Sequence, residues 1–166
     1  MIRFYDVDTE YADYLRSFEQ KVPHVIYGSN SKFVCGIVLS CNGRDYFAPV
    51  SSKVGASERM ETHIRDENNN KLSSIRYQFM FPAPVGILTP IDINAVRKTD
   101  SAYAVLMQKE YEYCRKFEQQ IRQKAEKVYR IGTNKNHSLN KYCCDFALLE
   151  EKRDLYFKEK MDEAGV

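Results

Sequence analysis

Apolar positions along this chain follow two periods, and the change of period divides it. Residues 2–7 read as a short strand. Asp8 can cap a helix in which Tyr11, Leu15 and Phe18 recur at helical spacing, and Pro23 ends that segment. Residues 32–40, KFVCGIVLS, are β-rich and apolar on both faces, as in a strand central to a covered sheet. Asn42-Gly43 tolerates positive φ and predicts a tight hairpin into a return strand from Arg44 to Pro49. Residues 54–71 are polar and predict a loop with a hairpin turn at the Asn run. Ile75, Tyr77, Phe79 and Phe81 alternate with period two and predict a single strand; another is expected around Val85–Leu88.

From Asp100 the period lengthens. Met107, Tyr111, Cys114, Phe117, Ile121, Ala125 and Val128 recur at steps of three and four, predicting one long amphipathic helix ending before Gly132. A Gly/Asn/Lys loop over 132–141 leads to a last helix, roughly Asp145–Lys160. Strands precede helices that flank them, so the class is α+β, and residues 1–166 form one domain without repeats.

Composition narrows the function classes. The 25 basic and 23 acidic side chains leave a net charge of +2, so any polyanion site must come from local clustering. Cys35, Cys41, Cys114, Cys143 and Cys144 are odd in number and lack CxxC spacing, which suits reduced, buried thiols in a cytoplasmic protein. The first residues lack a signal-peptide core, and no run reaches membrane-spanning length. His24, His63 and His137 are scattered, and no ligand-spaced cluster occurs, so neither metal nor cofactor is expected. GxxxxGK[ST] and GxGxxG are absent, which argues against P-loop and dinucleotide sites.

Two features bear on chemistry. Arg115, Lys116, Arg122, Lys124, Lys127 and Arg130 outweigh Glu118 and Glu126, and Lys135 and Lys141 add charge in the next loop. Singly these cations are a solvated helix face; together they can form a phosphate-facing stripe. The second feature is YFAPVSSKV at 46–54, where a strand ends and presents Ser51, Ser52 and Lys53. RNA is cleaved without metal when its 2′-hydroxyl attacks the adjacent phosphorus, cations stabilise the crowded phosphate, and the leaving oxygen takes a proton. Lysine supplies charge and exchangeable protons, and serines orient phosphate oxygens. By composition alone, Ser-Ser-Lys is a common loop sequence. His63 falls in the polar stretch that follows it.

The chain resembles the ToxN/AbiQ family of type III toxin–antitoxin and phage abortive-infection toxins. The likeness rests on KVP at 21–23, GIVL at 36–39, YFAPVSSK at 46–53, FMFPAP at 79–84, DIN at 92–94 and CDFALLEEK at 144–152. These motifs keep the family's order and span nearly the whole chain. The resemblance implies a strongly twisted, partly barrel-like antiparallel sheet with flanking helices. It also implies a metal-independent endoribonuclease that cleaves adenine-rich RNA to 2′,3′-cyclic phosphate and 5′-hydroxyl ends. Such a toxin processes, and is inhibited by, a small pseudoknotted RNA antitoxin with which it assembles into closed rings.

By the same resemblance, Lys53 matches the family's catalytic lysine, and Ser51 and Ser52 match its two hydroxyl residues. Lys32 matches its second lysine and Tyr27 its loop tyrosine. Ser52 and Lys53 are adjacent here, where the family commonly inserts a proline, and the Tyr27-to-Lys32 interval is one residue longer. Two rival readings come from the residues themselves. One is a non-catalytic RNA-binding module using the basic long helix; the other is a cysteine-dependent hydrolase.

Overall fold

The computed structural model describes residues 1–24, 26–27, 30–31, 33–84 and 86–165, taking 26–27 and 30–31 as backbone only. The chain opens with β1 (Arg3–Val7) and α1 (Thr9–Phe18), and the Asp8 carboxylate accepts the Glu10 N–H at the start of that helix. Tyr11, Ala12 and Leu15 are its buried face. Phe18 is exposed instead, with the Lys152 Nζ 4.2 Å from its ring centre. Short strands β2 (Ile26–Tyr27) and β3 (Asn30–Ser31) pair with each other. Strands β4 (Val34–Cys41) and β5 (Arg44–Ser51) form the expected hairpin. Asn42 and Gly43 at its tip have φ of 52° and 75°, the geometry that this dipeptide favours.

Beyond β5 the expectations need correction. Residues 54–71 are not all loop, because β6 (Glu61–Arg65) lies within them. It turns at Asp66–Asn70, where Asp66 Oδ1 accepts the N–H groups of Asn68 and Asn70, into β7 (Lys71–Arg76). The strand expected through Phe81 breaks at a 3₁₀ turn, Tyr77–Phe79, before β8 (Phe81–Ala83). Next comes β9 (Leu88–Pro90); Val85, the expected start of a strand here, lies outside the described residues. An unexpected helix, α2 (Ile93–Thr99), follows, capped by the Asp92 carboxylate.

The long helix is two helices, α3 (Ser101–Lys116) and α4 (Glu118–Thr133), which meet at Phe117 with φ −109° and ψ 26°. The second runs through Gly132 instead of stopping before it. The last helix, α5 (Phe146–Glu163), is capped by Asp145.

Seven strands make an open antiparallel sheet in the order β6-β7-β5-β4-β1-β9, with β8 also paired to β5. Among the described residues the sheet is not closed, β6 and β9 are its edges, and its pairing shifts register between Gly36 and Leu39. Every residue from Tyr46 to Ser51 is buried. Tyr46 meets Tyr129 of α4 and Phe146 of α5 on one face, and Phe47 meets Tyr5 on the other. Pro49 tolerates this central position because β5 changes partner around it. Residues 45–47 pair with β8 and residues 50–51 with β7. The Val50 N–H turns towards Phe33 O at 3.2 Å, so the donor that Pro49 lacks belongs to the opposite edge, in the gap between β8 and β7.

Candidate active site

At the end of β5 a row of polar residues crosses the sheet. Ser51 stands opposite Ser74 of β7, and Ser74 stands opposite His63 of β6. Because register partners share a face, Ser51, Ser74 and His63 lie on one side, joined by Glu61 and Arg76 two positions along their strands. The other side carries Val50, Ile75, Thr62 and Ile64, with Ser73 opposite Ile64. Ser51, Glu61, His63 and Ser74 are all buried.

The chain leaves β5 through a tight turn. The Lys53 N–H donates to Ser51 Oγ at 3.2 Å, and an Arg76 guanidinium N–H donates to the Lys53 carbonyl at 3.0 Å. Ser52 and Lys53 themselves are exposed. The lysine's backbone is therefore tied on both sides by side chains while its residue surface faces solvent. Two residues on, the Gly55 N–H donates to Glu61 Oε1 at 2.8 Å, and the same oxygen lies 3.0 Å from His63 Nε2. The Glu58 carboxylate accepts the His63 N–H at 2.8 Å along the free edge of β6. Lys32 lies outside the described residues. For Tyr27 the description stops at its backbone in β2, but Phe33, which follows position 32, pairs with Val50 next to Ser51.

Spacing does not mark Glu61, His63 or Arg76 as site residues, although His63 follows the strand-exit motif in the chain. The signal was present as alternation in ETHIR, where Thr62 and Ile64 face one side and Glu61 and His63 the other. The apolar side is too short, and its partners too polar, to show as a strand.

The expected RNA-binding cations lie on both sides of the break at Phe117, and three of them line separate depressions. Arg115 donates to the Tyr111 hydroxyl and lines a depression with Arg3 and Asp92, whereas Lys116 lines one of about 470 Å³ between α3 and the β6–β7 turn. On α4, Arg122 pairs with Glu118 at 3.7 Å, and Lys127 lines a third depression with Arg130 and His137. Burial, reinforced by the nearby Lys127 charge, lowers the Lys124 pKa, and Glu58 in the loop after Lys53 opposes the shift. Lys135 is exposed in the loop after α4.

Among the described residues no group of His, Cys, Asp or Glu is placed to hold a metal ion, and no helix is long and apolar enough to cross a membrane. Three of the cysteines, Cys114, Cys143 and Cys144, are poor nucleophiles. Burial pushes the Cys143 thiol up to about 11 and Cys144 well above its usual range. Cys114 is raised by its hydrogen bond with Cys35 and by burial.

The open antiparallel sheet with helices packed on it is the fold of solved type III toxin–antitoxin toxins. The family model "Toxin ToxN, type III toxin-antitoxin system" matches residues 3–154, and the chain belongs to that family. It is 34% identical to the endoribonuclease AbiQ of Lactococcus lactis subsp. lactis, over 95% of this chain and 91% of that one. It is 31% identical to the endoribonuclease ToxN of Bacillus thuringiensis subsp. kurstaki, over 93% of this chain and 84% of that one. A solved type III toxin, described as selectively inhibited by a non-coding RNA pseudoknot, superposes with a TM-score of 0.87 at 30% identity. That superposition covers 93% of this chain and 97% of the other.

Proposed function

We propose that the protein is a cytoplasmic endoribonuclease toxin of a type III system, which cleaves adenine-rich RNA at the rim formed by Ser51, Ser52 and Lys53. The 2′-oxygen forms a bond to the adjacent phosphorus as its proton leaves, and the bond from phosphorus to the 5′-oxygen breaks as that oxygen gains a proton. The products are a 2′,3′-cyclic phosphate and a 5′-hydroxyl. Lys53 stabilises the phosphorane or moves a proton, Ser52 binds the scissile phosphate, and Ser51 shapes the turn. Lys32 adds charge and Tyr27 positions the RNA, as the family resemblance implies. The partner is a small pseudoknotted RNA antitoxin that the toxin processes and that holds it in a closed toxin–RNA ring. A pseudoknot inhibitor of the superposed toxin and the endoribonuclease activity of both relatives support this reading.

The observation that carries the assignment is the bilateral tie on Lys53. Its N–H and its carbonyl are both held by side chains while the residue stays exposed, which is how a catalytic group is fixed and still reaches substrate. The test is cleavage of an adenine-rich RNA with EDTA present, by wild type and by Lys53→Ala. Wild type should cut under these conditions and leave cyclic phosphate ends. The variant should lose ~10²–10⁴ in rate, as is common for removal of one acid–base group. Wild-type activity in the variant would overturn the role of Lys53. Salt-sensitive binding without scission would favour the binding-module reading.

A further inference from the structure

Glu61 is the least expected residue near the site. It stands on the edge strand β6 at 5% exposure, where an unpaired carboxylate would be costly. Its partners show what that position achieves. Oε1 takes the Gly55 N–H at 2.8 Å and faces His63 Nε2 at 3.0 Å. Oε2 lies 3.7 Å from Arg76 Nε, and the far end of that guanidinium holds the Lys53 carbonyl at 3.0 Å. One buried anion thus reaches the Lys53 turn by two routes, through the Gly55 amide and through Arg76. The first route needs glycine. A Cβ at position 55 would stand 2.4 Å from Glu61 Oε1, so a side chain there would push the amide off the carboxylate.

We propose that Glu61 is a positioning residue for Lys53. With His63 buttressing one oxygen and Arg76 the other, it fixes residues 53–55 and hence the place from which the lysine meets the scissile phosphate. Its two routes end at different points of one short turn, the Gly55 amide and, through Arg76, the Lys53 carbonyl. The inference rests on the reading of Lys53 as the catalytic lysine.

The test is single-turnover and steady-state cleavage of a labelled messenger RNA containing adenine-rich stretches. The proteins are wild type, Lys53→Ala, Glu61→Gln, Arg76→Ala, Arg76→Lys, and the Lys53→Ala/Glu61→Gln double variant. Glu61→Gln and Arg76→Ala should each lower kcat about 10- to 100-fold, the cost of a misplaced catalytic group, and leave KM within about twofold. Arg76→Lys, which keeps a donor and a charge, should recover part of the loss. In the Lys53→Ala background, Glu61→Gln should cost nothing further, because a residue acting only through Lys53 has nothing left to position.

Wild-type rates in Glu61→Gln, or an equal fold-loss with and without Lys53, would overturn the proposal while leaving the role of Lys53 intact. A fully active Lys53→Ala would instead remove the reading on which it rests. If Glu61→Gln melts at the assay temperature, the two Arg76 variants decide by the same kcat and KM criteria, since Arg76 is only partly buried.

Discussion

Ser51 Oγ accepts the backbone N–H of Lys53 at 3.2 Å, so the hydroxyl that ends β5 also shapes the turn that follows. The two serines of this stretch therefore have different work. Ser51 is 8% exposed and already engaged, whereas Ser52 is exposed. Ser51→Ala should lower kcat about tenfold, the scale of a modest misplacement, and quicken hydrogen exchange at the Lys53 amide. Ser52→Ala should leave that exchange unchanged and weaken RNA cleavage directly. Exchange that ignored Ser51→Ala would refute the turn-forming role.

Glu110 on α3 is 3% exposed with Oε2 unpartnered among the described residues, and burial raises its pKa from 4.5 to about 6 against the opposing effect of Ser73. The sign follows from linkage. The folded chain holds this proton more tightly than the unfolded chain, so stability falls as pH rises through the interval from 4.5 to about 6, and the loss persists above it. A shift of this size costs on the order of 2 kcal/mol at neutral pH. Glu110→Gln should therefore raise the urea midpoint at about pH 7.5 and change it little at about pH 4. An equal effect at both pH values would show that the carboxylate's charge is not the cause.

Much of this fold was readable from pattern because its local signals agree with its packing. Asp8, Asn42-Gly43 and Asp145 act where capping and turn chemistry place them. The failures share a cause, which is tertiary contact that a one-dimensional pattern does not carry. Strand β6 hides because Glu61 and His63 are buried by pairing with Gly55 and with each other, so its inward side reads as polar loop. Tyr77 kept the alternation of the preceding strand but sits in a 3₁₀ turn, its hydroxyl bonded to Thr62 at 2.7 Å. The apolar stripe from Met107 to Val128 continues across Phe117, so periodicity alone could not show the break. At the site, Ser51, Ser52 and Lys53 were visible as a strand exit. Arg76, which holds Lys53 from another strand, became visible only with the sheet register.

Gly132 illustrates the same limit and gives a prediction of unusual sign. It lies inside α4, where glycine normally costs about 1 kcal/mol relative to alanine. Here a Cβ would stand 2.2 Å from the Phe146 ring and 3.2 Å from Cys143 Cβ. Gly132→Ala should consequently destabilise the protein by about 1–3 kcal/mol, the usual cost of overpacking, instead of stabilising it. Thermal unfolding measures this directly. A raised Tm would mean that α4 and α5 separate at little cost.

Arg44 and Asp154 tie the β4–β5 hairpin to α5 by a two-pronged contact, Nε to Oδ1 at 3.1 Å and Nη2 to Oδ2 at 2.6 Å. The hydrogen bond from Arg44 holds the Asp154 pKa below its usual 3.8, helped by Arg153 and opposed by partial burial. A depressed acid pKa stabilises the fold above the unfolded value, and that contribution fades as pH falls through the folded one. Asp154 is 42% exposed, so solvent screens the pair and its worth is about 1 kcal/mol or less. Asp154→Asn should be less stable than wild type near neutral pH, and the two should converge in acid as the lowered Asp154 carboxyl takes up its proton. High salt should narrow the neutral-pH gap as it screens the charges. Urea unfolding of both proteins across this range provides the measurement, and a gap that persisted unchanged in acid would show that the contact works by packing instead of charge.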